Sequence, residues 1–196
     1  MSKTVEFLFD LGSPATYLAY TQLPAICEQT GSRLIYIPIL LGGVFKATGN
    51  ASPVTVPAKG RYMFQDLDRY AKRYGVPLKF NPHFPINTLM LMRAVTGVQL
   101  RQPERFVAFI DCLFKAIWVD GRSLDEPTTV AAVLSENGFD PQEVLALSVD
   151  EEVKALLKDN TEKAVQRGVF GAPSMFVDNR LYFGQDRLDF VLEALS

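Results

Sequence analysis

The chain has 196 residues, of which 48% are hydrophobic and 21% are charged, and its net charge is -2 at pH 7. A chain of this length and composition can bury a sizeable core as one globular domain, with or without a large insertion, and is not disordered. The charge gives no support for nucleic-acid binding, and no apolar run is long enough to predict a membrane-spanning helix.

The chain contains two cysteines and one histidine, which limits the sites that it can build. Cys27 and Cys112 lie far apart in the sequence and form neither a metal-ligand spacing nor a redox spacing. Both have apolar neighbours in helical patterns, so we expect buried, reduced thiols. His83 stands between two prolines and is expected to be structural, and a metal site of several histidines is excluded. Because the sequence enters a strand directly, without a signal-peptide pattern, we expect a cytoplasmic protein.

The first elements in chain order are a strand, a helix and a second strand. The apolar run VEFLFD (5–10) predicts a buried strand, and residues 14–29 predict a helix that is closed by Gly31. Pro24 is expected to kink or divide this helix because proline has no backbone donor. RLIYIPIL (33–40) predicts the second strand, so the chain begins with a βαβ unit and a parallel strand pair.

The character of the sequence changes after the second strand. Residues 40–57 are rich in Gly, Pro, Ser and Asn and predict a long loop, which in a compact domain is usually functional or mobile. Helical patterns then follow almost without interruption, at 59–75, 87–95, 103–119, 127–137 and 150–168. We therefore expect a helical block of more than half the chain.

Strands resume only near the end of the sequence. PSMFVD (173–178) and RLYFG (180–184) flank Asn179, a residue that tolerates a tight turn, so they predict a hairpin. DRLDFVLEAL (186–195) predicts a closing helix. The complete order is βαβ, a helical block and ββα.

Five short motifs combine glycine or proline with a polar residue. They are DLGSP (10–14), GNASP (49–53), VPAKG (56–60), GVFGAP (168–173) and FGQDR (183–187). No single motif is specific, but five of them in this order along one chain are.

The motifs and the order of elements resemble the thioredoxin-like fold of the periplasmic disulfide oxidoreductases and, over nearly the whole chain, the kappa-class glutathione transferases. Within that group the sequence is most similar to the bacterial 2-hydroxychromene-2-carboxylate isomerases. The resemblance implies an α/β thioredoxin-like fold (βαβ…ββα) with a large all-helical insertion between the two halves. Residues 1–40 and 169–196 would form the thioredoxin-like domain, and residues 41–168 the connecting loop and helical insertion domain.

Ser13 is the candidate catalytic residue. A serine before Pro14 is a good N-cap for the first helix, and this structural role alone would account for it. The same hydroxyl can accept a hydrogen bond from the helix backbone and donate its proton to a thiol, which favours the thiolate, as does the positive end of the helix dipole. The turn contains no cysteine, so the thiol must belong to a ligand. The resemblance implies that this ligand is glutathione, bound as a cofactor.

The resemblance also implies which residues bind the rest of the tripeptide. A cis bond before Pro173 would let the backbone of Ala172 pair with the ligand as an added strand does; an ordinary trans proline is the alternative. The γ-glutamyl end would lie at FGQDR, whose binding residues are Gly184, Gln185, Asp186 and Arg187. Asp186 is predicted to cap the last helix and to bind the ammonium group of the ligand. Arg187 is expected to pair with a nearby acid.

Three polar residues complete the candidate site. Asn50 and Lys59 would bind the backbone and the glycyl carboxylate of glutathione, and Asn50 would also contact the substrate. Lys46 is a candidate for the substrate carboxylate, although a solvated surface lysine is the simpler interpretation. All three assignments depend on the resemblance, because each residue alone would be an ordinary surface polar residue.

The resemblance implies a glutathione-dependent isomerase that interconverts 2-hydroxychromene-2-carboxylate and trans-o-hydroxybenzylidenepyruvate in aromatic degradation. Addition of a thiolate to the conjugated system would make the double bond single, so that it rotates, and elimination would return the thiol. The partners would be a small aromatic carboxylate and a second copy of the chain in a homodimer. Two alternatives remain: a kappa-class glutathione transferase that conjugates electrophiles, and a non-catalytic glutathione-binding protein of thioredoxin-like fold.

Overall fold

A four-stranded mixed sheet lies at the centre of the structure, a computed structural model that describes residues 3–196. The strands β1 (Thr4–Phe9), β2 (Arg33–Pro38), β3 (Ser174–Val177) and β4 (Arg180–Phe183) stand in the order β2-β1-β3-β4. β1 pairs in parallel with β2 and antiparallel with β3, which in turn pairs antiparallel with β4. This topology is the thioredoxin-like one, so the predicted fold class is confirmed.

Helices surround the sheet and fill the long connection between β2 and β3. Helix α1 joins β1 to β2, and a helix follows β4 at the end of the chain. Within residues 3–196 the nine α-helices are α1 (Pro14–Thr30), α2 (Leu41–Thr48), α3 (Pro57–Tyr74), α4 (Leu89–Arg101), α5 (Phe106–Trp118), α6 (Pro127–Glu136), α7 (Pro141–Val149), α8 (Glu151–Gln166) and α9 (Leu188–Leu195). In the same part of the chain, none of them is both long and apolar enough to cross a membrane.

Helix α1 begins and ends where the sequence predicted. Gly31 closes it in the left-handed conformation (φ 63°), a backbone state that favours glycine. Of the two outcomes predicted for Pro24, a kink or a division of the helix, the division is wrong, because α1 continues through Pro24 to Thr30. Leu23 and Cys27, on either side of the proline, are both buried, and this packing offsets the backbone hydrogen bond that Pro24 removes.

The prediction of a continuous loop over residues 40–57 is also wrong. Helix α2 and a short 3-10 turn, Pro53–Thr55, occupy much of it. The residue before α2 is Leu40, whose side chain cannot cap a helix, and two glycines follow in the first turn, so the local sequence opposes a helix there. Contacts from elsewhere in the chain therefore have to stabilise α2.

One apolar core joins the sheet to the helical block. The ring of Phe9 on β1 lies 6.2 Å from the ring of Phe114 on α5. Trp118, at the end of α5, is fully buried, and its indole nitrogen donates a hydrogen bond to the carbonyl oxygen of Leu11 at 2.8 Å. The helical block thus anchors the turn that follows β1. Both cysteines are free and buried, as predicted.

The hairpin of β3 and β4 forms as predicted. Asp178 and Asn179 make the turn with positive φ angles of 48° and 63°. A two-residue turn of this kind matches the right-handed twist of the paired strands. The hairpin places FGQDR directly after β4, beside the loop that precedes β3.

Candidate functional site

Ser13 stands at the point where β1 turns into α1. Its backbone is extended, and its Oγ accepts a hydrogen bond from the backbone N–H of Thr16 at 3.1 Å, so the predicted capping role is confirmed. The same hydroxyl donates to the carbonyl oxygen of Ala172 at 3.0 Å. Ser13 is only 6% exposed. The single side chain therefore connects the start of α1 to the loop before β3.

The bond between Ala172 and Pro173 is cis, as the resemblance implied. The carbonyl oxygen of Pro173 accepts from the N–H of Gly184 at 3.0 Å, which holds FGQDR beside this loop. Within residues 3–196, the backbone N–H of Ala172 donates to no carbonyl oxygen. A free donor therefore lies one residue before the proline, next to the Ser13 contact.

Asn50 lies beside the loop before β3, although 120 residues of sequence separate it from its hydrogen-bond partner, Phe170. Its side-chain nitrogen donates to the carbonyl oxygen of Phe170 at 2.8 Å. The ring of Phe170 lies 4.5 Å from that of Phe183. A Cβ on Gly171 would come within 2.7 Å of the Phe183 ring, so a larger residue there would displace this ring. GNASP, GVFGAP and FGQDR thus meet in space.

The turn after β4 is built on Gly184 and Gln185. Gly184 has a φ of 98°, and a Cβ there would lie 2.5 Å from a carboxylate oxygen of Asp186. Gln185 is 4% exposed, and both its backbone oxygen and its Oε1 lie 2.9 Å from the hydroxyl of Tyr74, the last residue of α3. Burial raises the pKa of Tyr74 to about 12, so this phenol is protonated at neutral pH and donates to the turn.

Asp186 does not cap the last helix, contrary to the prediction. A 3-10 turn over Gln185–Arg187 precedes α9, so Asp186 lies inside a helical segment, and no side chain caps either helix. Its carboxylate pairs instead with the Arg187 guanidinium at 2.6 Å. The expectation that Arg187 pairs with a nearby acid is therefore confirmed.

Lys59 lies in the first turn of α3 and is exposed. A cation at a helix N-terminus is opposed by the helix dipole, so this lysine does not stabilise its own helix. Among residues 3–196, no carboxylate lies within 4.0 Å of its ammonium group. The neighbouring Gly60 lets α3 approach the preceding 3-10 turn, because a Cβ there would lie 3.2 Å from the Cα of Val54.

Lys46 lies in the last turn of α2 and lines a groove of about 850 Å³ between α2, α4 and α8. Other basic residues of this groove are Arg93, Lys154 and Lys158. Ser13 is not among the residues that line this groove. Glu151 and Glu162 also line it and pair with Lys154 and Lys158, so Lys46 and Arg93 are its other two basic side chains.

Asp10 was quoted in a motif but was not predicted to belong to the site. It is 1% exposed, and its carboxylate accepts from the backbone N–H groups of Gly12 at 2.9 Å and Leu41 at 2.7 Å. Burial raises the pKa of Asp10, and these two hydrogen bonds counter part of that rise. An acid at the end of an apolar strand was the sequence signal for it.

Comparisons with known proteins agree with this geometry. Residues 4–196 match the family model described as a DSBA-like thioredoxin domain. A 2-hydroxychromene-2-carboxylate isomerase of Sphingobium xenophagum is 32% identical over 97% of both chains, and glutathione S-transferase kappa 1 of Caenorhabditis elegans is 29% identical over 98% of this chain and 90% of its own. The solved structure of a 2-hydroxychromene-2-carboxylate isomerase superposes with a TM-score of 0.85 at 28% identity, covering 98% of this chain and 94% of that one.

The chain belongs to the DsbA-like thioredoxin-domain family, and within it to the group that contains the 2-hydroxychromene-2-carboxylate isomerases and the kappa-class glutathione transferases. Its relatives in that group are enzymes, and its fold, with the helical insertion between β2 and β3, is theirs.

Proposed function

We propose that the protein is a glutathione-dependent isomerase of the 2-hydroxychromene-2-carboxylate type. The observation that carries the proposal is the 3.0 Å contact between the Ser13 hydroxyl and the Ala172 carbonyl oxygen, at a helix N-terminus whose turn contains no cysteine. In a thioredoxin-like fold this turn is where a thiol reacts, so the sulfur comes from a bound ligand. The similarity to curated isomerases over 97% of the chain supports this reaction class.

The polar groups of the site fit glutathione. Its cysteinyl peptide group matches the free N–H of Ala172, and its γ-glutamyl carboxylate matches the backbone N–H groups at the start of the Gln185–Arg187 turn. The glycyl carboxylate matches Lys59, whose position in its helix favours an anionic partner over a structural role. Asp186 can receive the ligand's ammonium group if that group displaces or joins Arg187.

Bound glutathione supplies the nucleophilic sulfur that this chain does not present at the turn. Ser13 has one hydroxyl proton, so donating it to a sulfur means giving up the bond to Ala172. The Ala172 carbonyl then becomes available as an acceptor for a ligand N–H. Ser13 keeps its bond from Thr16 throughout, because that bond uses an oxygen lone pair. The hydroxyl and the N-terminus of α1 both lower the pKa of a thiol held there.

The substrate proposed is a small aromatic carboxylate. We propose that Asn50 contacts it, because this residue is exposed and its amide binds the loop before the cis proline. Lys46 can attract the carboxylate from the neighbouring groove, where Arg93 adds a second positive charge.

A single incubation separates the candidate functions. The protein is mixed with glutathione and 2-hydroxychromene-2-carboxylate, and the ultraviolet spectrum of the substrate and the free thiol are followed together. Isomerisation without loss of thiol supports the proposal. Loss of thiol with a test electrophile, without isomerisation, supports a kappa-class transferase, which the 29% identity to such an enzyme makes the second candidate. Tight glutathione binding with neither reaction indicates a binding protein.

The resemblance also leads us to propose a cytoplasmic homodimer. Two buried free thiols suit a reducing compartment. Exposed apolar side chains at the start of α3, Val56 and Tyr62, provide apolar surface for a second copy. Light scattering of the purified protein gives its mass, and a monomer at micromolar concentration would contradict the dimer.

A further inference from the structure

Asp10 is a buried carboxylate that the proposed chemistry does not use. It follows β1, and its two oxygens bind two different segments: Oδ1 accepts from Gly12, in the turn that presents Ser13, and Oδ2 accepts from Leu41, the first residue of α2. Its backbone oxygen also accepts from the N–H of Ser13 at 3.2 Å. Burying a carboxylate costs free energy unless its oxygens accept hydrogen bonds. These contacts offset that cost and hold the two segments that donate to Asp10.

Helix α2 has no capping side chain of its own. Its first N–H groups find acceptors in remote residues: Leu41 donates to Asp10, and Leu40 donates to the hydroxyl of Thr161 on α8 at 3.0 Å. A carboxylate at a helix N-terminus satisfies an unpaired donor and also complements the helix dipole. Asp10 is therefore a tertiary N-cap, supplied from 31 residues away in the sequence.

Helix α2 leads directly to Asn50, whose amide binds the loop that ends at the cis proline. The Gly12 turn leads directly to Ser13. We propose that Asp10 is a positioning residue that fixes Ser13 and Asn50 relative to each other, by tying the two segments that carry them to one carboxylate. The inference rests on the proposed glutathione site, because the distance between these two side chains matters only if one ligand contacts both.

The variant Asp10→Asn tests this because it keeps the size and burial of the side chain. Its amide has one acceptor oxygen, so its NH₂ group faces one of the two N–H donors and that contact is lost. We expect the dissociation constant for glutathione, measured by calorimetry, to rise about tenfold, the effect of one lost hydrogen bond to a charged acceptor. We also expect the pKa of the bound thiol to rise, because Ser13 is no longer held in place.

The direction in which Asp10→Asn shifts the thiol pKa distinguishes a positioning role of Asp10 from a purely electrostatic one. Removing a nearby negative charge would by itself favour the thiolate and lower that pKa, whereas a displaced Ser13 raises it. The matched control is Thr161→Val, which removes the other remote acceptor of α2 and does not contact the Ser13 turn. It should weaken glutathione binding without changing the thiol pKa. If Asp10→Asn behaves as this control does, or lowers the thiol pKa, the proposed link between the two segments is wrong.

The wild-type protein provides a test that does not depend on the variant folding. A ligand that requires the Asp10 contacts must also stabilise them. Saturating glutathione should therefore slow amide hydrogen exchange at both Gly12 and Leu41, as followed by NMR. Unchanged exchange at either amide overturns the inference. If the wild-type protein does not bind glutathione, the proposed function is wrong. If the wild-type protein binds glutathione and the Asp10→Asn variant binds it with the same dissociation constant and thiol pKa, only the proposed role of Asp10 is wrong.

Discussion

Replacing Ser13 by Ala separates the structural role of this hydroxyl from its chemical one. The substitution removes the N-cap bond from Thr16 and the bond to Ala172. A lost N-cap costs about 1 kcal/mol of the free energy of unfolding. A lost neutral hydrogen bond costs about 1 kcal/mol more. We expect Ser13→Ala to unfold with about 2 kcal/mol less free energy, which for a chain of this size lowers Tm by roughly 4–8 °C.

The effect of Ser13→Ala on the pKa of the bound glutathione thiol is expected to be larger than its effect on the free energy of unfolding suggests. A hydrogen bond to a charged group contributes about 1.5–3 kcal/mol, and one pH unit of pKa corresponds to about 1.4 kcal/mol. Without Ser13, the pKa of the bound glutathione thiol should therefore rise by about 1 to 2 pH units. The thiolate fraction at neutral pH falls accordingly, and the pH profile of isomerisation moves to higher pH. Ultraviolet titration of the thiolate in the complex measures the shift directly.

The chain offers a matched control for the loss of a cap. Asp150 caps α8, where its side chain accepts from the N–H of Val153 at 3.0 Å, and it lies in the helical block on a different element. Asp150→Ala should cost about 1 kcal/mol and leave the thiol titration unchanged. If Ser13→Ala loses stability but titrates as the wild type does, the hydroxyl is a cap and nothing more, and the proposed role of Ser13 is refuted.

Three further predictions concern groups whose partners the structure defines. Tyr74→Phe should weaken glutathione binding about 5- to 10-fold by calorimetry, because the buried turn after β4 loses its donor, whereas Tyr70→Phe should leave binding unchanged. Thr16→Val should raise the free energy of urea unfolding by about 1 kcal/mol, since Thr16 Oγ1 is buried without a hydrogen-bond partner among residues 3–196; a loss of stability would contradict this. Burial raises the pKa of the Cys112 thiol to about 12 and also raises that of Cys27, so neither should react with a thiol reagent at neutral pH until the protein unfolds. Rapid labelling of the native protein would show that the thiols are accessible.

Elements with a strong local signal could be predicted from the sequence. The helix after Ser13 has a cap, a proline in its first turn and a closing glycine, and its bounds agree with the prediction within one residue at the C-terminal end. Helix α7 was overlooked, although Asp140 and Pro141 form the same kind of start signal. Its nine residues lie between two longer helical patterns, and its apolar positions do not form one clear face.

Helix α2 could not be predicted from its local sequence, because residues distant in the sequence stabilise it. Its first turn contains two glycines and no capping side chain, so propensity alone favours a loop. The acceptors that stabilise it belong to Asp10, directly after β1, and to Thr161 on α8, and these come together only in the folded chain. For the same reason the contact of Tyr74 with the turn after β4 could not be predicted from the sequence. Tertiary contacts therefore decide several features of the site.

Two groups that the resemblance assigns to the ligand have protein partners in the structure. Asp186 was expected to be a cap and is instead paired with its neighbour Arg187, because a 3-10 turn shifts the start of the helix. The hydroxyl of Ser13, which is proposed to donate to a ligand thiol, donates in the structure to the carbonyl oxygen of Ala172. In both cases a group assigned to the ligand already has a protein partner, so binding exchanges one hydrogen bond for another. Exchange of this kind yields modest affinity.

Several glycines of the motifs stand where a Cβ would meet another group, whereas Gly49 and Gly168 have open space around them and a positive φ angle. A Cβ on Gly171 would strike Phe183, one on Gly184 would strike Asp186, and one on Gly60 would press on Val54. The ring that approaches Gly171 belongs to another motif, whereas the carboxylate that approaches Gly184 belongs to the same turn. DLGSP, GNASP, GVFGAP and FGQDR contact one another through hydrogen bonds that only the fold reveals. The proposed glutathione site depends on this packing, because segments that are distant in the sequence would bind one tripeptide beside Ser13.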